Sequence, residues 1–225
     1  MAQGVPREKT ARKASVILLS GDAEHDSERT LSRLMGDLEA KQPLRCNLLV
    51  AEGKRDLPGL ELIEDADLIV TFVRSLALPG NQLGQIRSYM NSGKPIVALR
   101  TSIQAFENWK EFGAEILGGT LRGDSGGDSG ADVKIAGDAA GNPILQGVPA
   151  EFHCRSSLYQ IGPLTGGARP LLMGTAGSSS SPVAWTRSHK GGRVFYTSLG
   201  HPEDINLDPF RALLINAVRW ALTHG

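Results

Sequence analysis

The sequence predicts an α/β domain built on a doubly wound, mostly parallel sheet flanked by helices, with extra short strands in its second half. Three observations carry this. Short continuous apolar runs (SVILLS, LRCNLLV, DLIVTFV, PIVAL) have the character of strands buried on both faces. Segments with apolar residues at helical spacing alternate with them through the first hundred residues. The chain of 225 residues has 40% hydrophobic residues, enough for one generous core rather than a string of modules.

The elements follow in order. Residues 1–13 form a basic arm without an apolar run and are expected to be disordered; residues 14–225 are expected to form one domain. Ser15–Ser20 is the first strand. After the polar loop GDAEHD, Leu31, Leu34, Met35 and Leu38 mark a helix, with Ser27 as its N-cap and Glu28 in its first turn. Leu44–Val50 and Asp67–Val73 are the second and third strands. Pro79 opens a helix carrying Leu83, Ile86 and Met90, and Gly93 stops it. Pro95–Leu99 is the fourth strand and runs directly into RTSIQAF. Residues 118–130 (GGTLRGDSGGDSG) are too rich in Gly, Asp and Ser to pack and read as a flexible loop. Later strands are expected at 132–136, 169–173, 182–186 and 193–198, with 178–181 as a hairpin tip or loose loop. Asp208 and Pro209 open a last helix whose stripe is Phe210, Leu213, Leu214, Ala217 and Ala221.

Lys plus Arg (24) balance Asp plus Glu (24), so nothing marks a nucleic-acid or membrane-surface binder. Cys46 and Cys154 lack the spacing of a disulfide framework or a thiolate zinc site. No apolar run approaches a membrane span or a signal peptide, so a cytoplasmic location is the default expectation; a chain trimmed of its leader would read the same.

In an open parallel sheet, ligands bind beyond the carboxyl ends of the strands. The polar residues just after each strand are therefore the candidates for binding: Asp22, Glu24 and His25 after the first, Arg74 after the third, and Arg100, Thr101 and Ser102 after the fourth. GHPED follows the strand at 193–198 and supplies His201 and Glu203 as catalytic candidates, an imidazole two residues before a carboxylate that could orient it. Arg74 and Arg100 suit an anionic or polyhydroxylated ligand through forked hydrogen bonds; the competing reading pairs them with Glu24 or Asp22. Arg100 occupies the position where a nucleophile elbow would carry Cys or Ser, and a guanidinium cannot serve as one. Ser102 or Thr101 could take that role, although N-capping the next helix suits Ser102 better. His25 with Asp22, Glu24 and Asp26 could ligate a divalent metal, but no second histidine stands nearby, so no metal is assigned and the cofactor is left open. His153, His189 and His224 receive no role.

The tail GGRVFYTSLGHPEDINLDPFRALLINAVRWAL resembles the end of the trehalose-utilisation (ThuA-like) family. HDSERTLSRLMGDLE, DLPGLELIEDADLIVTFVR, SGKPIVALRTSIQAF, GNPILQGVP and PVAWTR extend the resemblance over most of residues 15–222. It implies a flavodoxin-like fold related to class I glutamine amidotransferases and an association with carbohydrate metabolism. In those relatives the elbow carries Cys, completed by a downstream His-x-Glu. Here His201 and Glu203 match the pair while Arg100 replaces the Cys, which argues against thiolate glutamine hydrolysis. ThuA-like sequences commonly keep a histidine near the elbow and another in the glycine-rich loop; this chain has Arg100 and the Arg122–Asp124 region instead, which weakens transfer of an activity. Two functions are expected to compete: an enzyme acting on a small sugar-like ligand with His201 as acid/base, and a non-catalytic binding or interaction module. A homo-oligomer using the last helix as its face is a third possibility.

Overall fold

The computed structural model describes residues 12–125 and 127–223. The arm expected at 1–13 lies almost wholly outside the described residues, as does His224. Eleven strands and three α-helices form in the order β1 (Ala14–Gly21), α1 (Ser27–Lys41), β2 (Leu44–Val50), β3 (Leu68–Val73), α2 (Gly80–Asn91), β4 (Ile96–Leu99), β5 (Leu121–Ser125), β6 (Ala131–Ile135), β7 (Glu151–Cys154), β8 (Leu158–Ile161), β9 (Arg169–Ala176), β10 (Ser179–His189), β11 (Gly192–Thr197) and α3 (Asp208–Leu222).

Nine strands make one sheet in the order β2-β1-β3-β4-β11-β10-β9-β6-β7, and β5 pairs with β8 in a separate two-stranded ribbon. The sheet is mixed, and this corrects the expectation of a mostly parallel one. The four pairings among β2, β1, β3, β4 and β11 are parallel. The four that carry the sheet from β11 through β10, β9 and β6 to β7 are antiparallel. The reason lies in the connections. Hairpin-length turns such as Gly177–Ser178 and Lys190–Gly191 join consecutive strands and permit only antiparallel pairing, whereas helix-length crossovers return a strand parallel.

The unbroken apolar runs are explained by burial on both faces. Along β1, Val16 and Leu18 face the layer holding Leu31, Leu34 and Leu38 of α1 and Phe210, Leu214 and Val218 of α3. Ile17 and Leu19 face the opposite layer, with Ile86 and Met90 of α2, Phe106, Trp109 and Phe112. The stripe of α3 is buried against the sheet, so that stripe is not a free face for a second copy.

Several local expectations shift. The N-cap position of α1 is Asp26 in a left-handed conformation, and Ser27 begins the helix. The buried Ser27 hydroxyl instead accepts from the Asp22 N–H (2.9 Å) and pairs with the Ser20 hydroxyl (2.7 Å), fixing the loop after β1. The glycine-rich segment 118–130 contains β5, which β8 organises through backbone bonding. Residues 178–181 are the turn and start of the β9–β10 hairpin. Among the described residues, no helix is long and apolar enough to cross a membrane.

Candidate functional site

Five parallel strands end at one edge, and their following loops carry the candidates. After β4 the chain turns at Arg100, whose φ of +43° lies in the left-handed region that side chains rarely adopt. Such a conformation costs on the order of 1–3 kcal/mol and persists only where the surroundings impose it. The elbow backbone is therefore present, with an arginine at its apex. Two hydrogen bonds hold it: Tyr196 Oη donates to the Arg100 carbonyl (2.7 Å), and Arg100 Nη1 donates to the Ser198 carbonyl at the end of β11 (3.2 Å). The chain continues as a short 3-10 turn, Arg100–Gln104, instead of the helix that the strand–turn–helix pattern suggested.

Ser102 neither caps a helix nor presents a free hydroxyl. It is fully buried, donates to the Thr71 carbonyl (2.9 Å), and accepts from Thr71 Oγ1 (2.8 Å) and the Val73 N–H (3.1 Å). Its hydroxyl is engaged in latching the elbow onto β3. Thr101 is also buried, and its Oγ1 donates to Asp22 Oδ2 (2.7 Å). Asp22 is thus the joint between the loops after β1 and β4. Its carboxylate also meets His25 Nδ1 at 2.8 Å and accepts from the His25 N–H at 3.4 Å. Burial pushes the Asp22 carboxyl up, but hydrogen bonds from His25 and Thr101 outweigh it and hold the group below the usual carboxylate range. An ionised carboxylate can only accept, so His25 Nδ1 is the donor. In neutral His25, Nε2 then keeps its lone pair.

His201 has the opposite polarity. Its Nδ1 accepts from the Glu203 N–H (3.1 Å), so the neutral ring carries its proton on Nε2. The Glu203 carboxylate, assigned in sequence as the orienting group, turns elsewhere: it accepts from Asn206 Nδ2 (3.0 Å) and lies 3.8 Å from Arg29. Glu203 orients His201 through its main chain. The organising carboxylate is Asp204, fully buried, which accepts from Ser156 Oγ (2.5 Å) and from the N–H groups of Arg155 (2.8 Å), His201 (3.1 Å) and Gly200 (3.2 Å). Sequence reasoning missed it. The available signal was a second carboxylate in GHPED, at the spacing of a turn.

Arg74 is half-exposed and ion-paired with Glu24, the competing reading of the sequence. Both lie along a groove of about 660 Å³ beside Asp22, between the ends of β1, β2 and β3. Strand β2 lies on one side of β1 and β3 on the other, so this groove sits where the strand order reverses. Among the described residues, no three His, Cys, Asp or Glu side chains are placed to hold a metal.

The structure thus joins Asp22, His25 and Thr101 by hydrogen bonds, and seats Arg100 against the end of β11. The His201 loop lies alongside: a Cβ on Gly200 would be 3.5 Å from Arg100 Cβ, and Arg29 of α1 reaches both Asp26 and Glu203. A further groove of about 560 Å³, lined by Arg12, Asp67, Lys94 and Arg193, lies at the other end of the parallel strands and holds none of the candidates. Neither thiol is hydrogen-bonded to the elbow; Cys154 Sγ donates to the carbonyls of Ala131 (3.5 Å) and Ser156 (3.9 Å). Burial pushes Cys46, on β2, up to about 11 and Cys154, on β7, up to about 12.

The family model described as trehalose utilisation, ThuA, matches residues 15–221. No curated protein matches the sequence. Among solved structures, a ThuA-like protein from Parabacteroides merdae superposes with a TM-score of 0.74 at 18% identity, covering 94% of this chain and 91% of the other. One from Bacteroides uniformis gives 0.69 at 17%, covering 98% and 95%. A β-galactosidase from Rahnella sp. R3 gives 0.63 at 17% identity, covering 94% of this chain but 32% of the enzyme. At these identities the likenesses show the fold alone.

Proposed function

The chain belongs to the ThuA family of trehalose-utilisation proteins, and from that premise we propose that it binds a small, polar, sugar-like ligand at the carboxyl edge of its parallel strands and acts on it by histidine acid/base chemistry. The fold reading that accompanies this is flavodoxin-like, of the class I glutamine amidotransferase kind, with the second half replaced by an antiparallel extension. The carbohydrate class comes from the family; the galactosidase likeness adds only the fold.

The observation that carries the proposal is the Thr101–Asp22–His25 chain of hydrogen bonds. A buried carboxylate spends itself on orienting an imidazole, which leaves Nε2 as a proton acceptor. His201 offers an Nε2–H donor from a neighbouring loop. Two imidazoles of opposite polarity suit a proton shift between adjacent positions of a hydroxylated or carbonyl-bearing carbon chain: His25 removes a proton, and His201 donates to the oxygen on which charge develops. Asp22 is a positioning residue, and Arg74 and Arg100 hold ligand. We assign no thiolate step, since the elbow carries Arg100 and burial pushes both thiols up.

The second reading, a binding module without turnover, is favoured by Arg100 itself, which stands where related folds place a nucleophile. One experiment separates the two. Trehalose, glucose and their keto derivatives are incubated with the protein in deuterated water and followed by NMR. Exchange of a carbon-bound proton that falls about 10²–10⁴-fold in His25→Ala supports the enzyme. Saturable binding without exchange or product supports the module. Absence of binding to any of these sugars and to the corresponding sugar acids overturns both.

A further inference from the structure

Arg100 combines features that are individually costly. Only 4% of the residue is accessible to solvent. Among the described residues, no carboxylate oxygen lies within 4.0 Å of its guanidinium. The backbone beneath it is held at positive φ. Its Nε–H is buried and has no hydrogen-bond partner. Removing an unpaired cation and a lone donor from water is expensive, and a glutamine or glycine at this position would avoid much of that cost.

The partners that Arg100 does have define which side is unfulfilled. Nη1 donates to the Ser198 carbonyl, and the guanidinium lies 4.9 Å from the centre of the Tyr159 ring. Nη2 donates only to a neutral hydroxyl, Ser157 Oγ (3.2 Å). That hydroxyl in turn donates to the exposed Asp124 on β5 (2.8 Å), so the nearest anion on that side reaches the cation only at second hand. Nε and Nη2 share one edge of the guanidinium. An edge with one empty donor and one hydroxyl-bound donor matches the two oxygens of a carboxylate, which would take both N–H groups in parallel and displace Ser157 Oγ.

We propose that Arg100 anchors a single carboxylate and that the ligand of this rim is a sugar acid, a polyol bearing one carboxylate, rather than a neutral or phosphorylated sugar. This rests on the reading of the rim as a sugar site. The discrimination against phosphate follows from the surroundings. Asp22, Asp124 and Asp204 are fixed close by, Glu24 already occupies Arg74, and Arg29 is shared between Asp26 and Glu203. Among the described residues Arg100 is the buried cation of the rim without a carboxylate partner, and a single buried charge suits a monoanion better than a phosphate dianion.

The test measures binding of D-gluconate, D-glucuronate, D-glucose and glucose 6-phosphate by calorimetry at fixed ionic strength. It uses the full chain and its Arg100→Gln, Arg100→Lys and Ser157→Ala variants. At least one of the two acids is expected to bind at least about tenfold tighter than glucose. That preference should vanish in Arg100→Gln and shrink in Arg100→Lys, whose ammonium cannot make the fork. Ser157→Ala, which frees Nη2 without touching the strained elbow, should tighten acid binding and leave glucose unchanged; this arm decides the matter if the arginine variants fail to fold. Equal affinity for glucose and the acids overturns the inference while sparing the sugar site, as does a preference for the phosphate ester or acid binding that Ser157→Ala leaves unchanged or weakens. No binding by any probe overturns the sugar-site reading and this inference with it.

Discussion

Replacing Asp204 with alanine should cost far more than replacing Glu203, although the sequence pattern points to Glu203. The difference can be worked from the bonds each makes. Asp204 is fully buried and accepts four hydrogen bonds. Two of its donors, the N–H groups of Gly200 and His201, are shared with Ser156 Oγ at 2.9 Å each and keep an acceptor when the carboxylate is gone. The Arg155 N–H and the Ser156 O–H lose their only recorded acceptor. Two orphaned donors at roughly 1–3 kcal/mol each give a loss of about 2–6 kcal/mol. For a chain of this size that is a fall in melting temperature of roughly 4–24 °C. The Glu203 side chain is 57% exposed, and its alanine variant should stay within about 0.5 kcal/mol of the parent. Urea unfolding at neutral pH reads both, provided the slope m is unchanged. A loss below about 1 kcal/mol for Asp204→Ala, or equal losses for the two variants, would refute the assignment of the loop's organisation to Asp204.

Other outcomes follow from the same geometry. Ser102→Ala should destabilise by about 2–6 kcal/mol, because the Val73 N–H and Thr71 hydroxyl both lose their buried acceptor, yet leave ligand affinity unchanged; calorimetry alongside urea unfolding checks both. The Asp22 carboxyl is lowered in the folded state, so its stabilising contribution is complete above the ordinary value of 3.8 and is lost as pH falls through the lower folded value. The stability gap between the parent and Asp22→Asn should therefore narrow as pH falls below 3.8, measured by urea midpoints between pH 6 and 2.5. Gly93→Ala should cost at least about 2 kcal/mol, since φ is +71° and the new Cβ would meet the Lys190 carbonyl oxygen at 2.4 Å; thermal unfolding reads the loss. Cys154, pushed up to about 12, should resist a thiol-reactive disulfide reagent at pH 8 until the chain is unfolded in urea.

The parallel half of the fold was legible because its inner strands β1, β3 and β4 are buried on both faces, whereas β2 lies at the sheet edge and is half-exposed. SVILLS or DLIVTFV can hardly be anything else once helical periods flank them. The antiparallel extension was harder. Strands β5, β7 and β8 are four or five residues long, β5 carrying Gly and Asp and β7 His and Cys, so neither sustained alternation nor long apolar runs mark them. Cross-strand pairing, which is non-local, creates β5 from a sequence with the composition of a loop. The site shows the same division. Its location at the carboxyl edge follows from topology, which places Asp22, His25, Thr101, Arg100 and His201 on loops of one rim. The direction of each side chain does not follow. HPE suggests that Glu203 points at His201, but the tight turn brings the Glu203 N–H to the ring and sends the carboxylate outward, while the next residue turns inward. Ser102 and Thr101 are equivalent by composition, and only the packing of the elbow against β3 decides which hydroxyl is spent on structure.

The claim on which the rest depends is that the loops after β1, β4 and β11 form one binding edge. The most direct measurement is an NMR titration of the imidazole and guanidinium signals with D-gluconate and D-glucose, with His25→Ala, His201→Ala and Arg100→Lys supplying the assignments. The account expects His25, His201 and Arg100 to shift together along a single saturation curve, while Arg193 at the opposite end of the sheet stays still. Shifts confined to one of the three, or centred on Arg193, would contradict it.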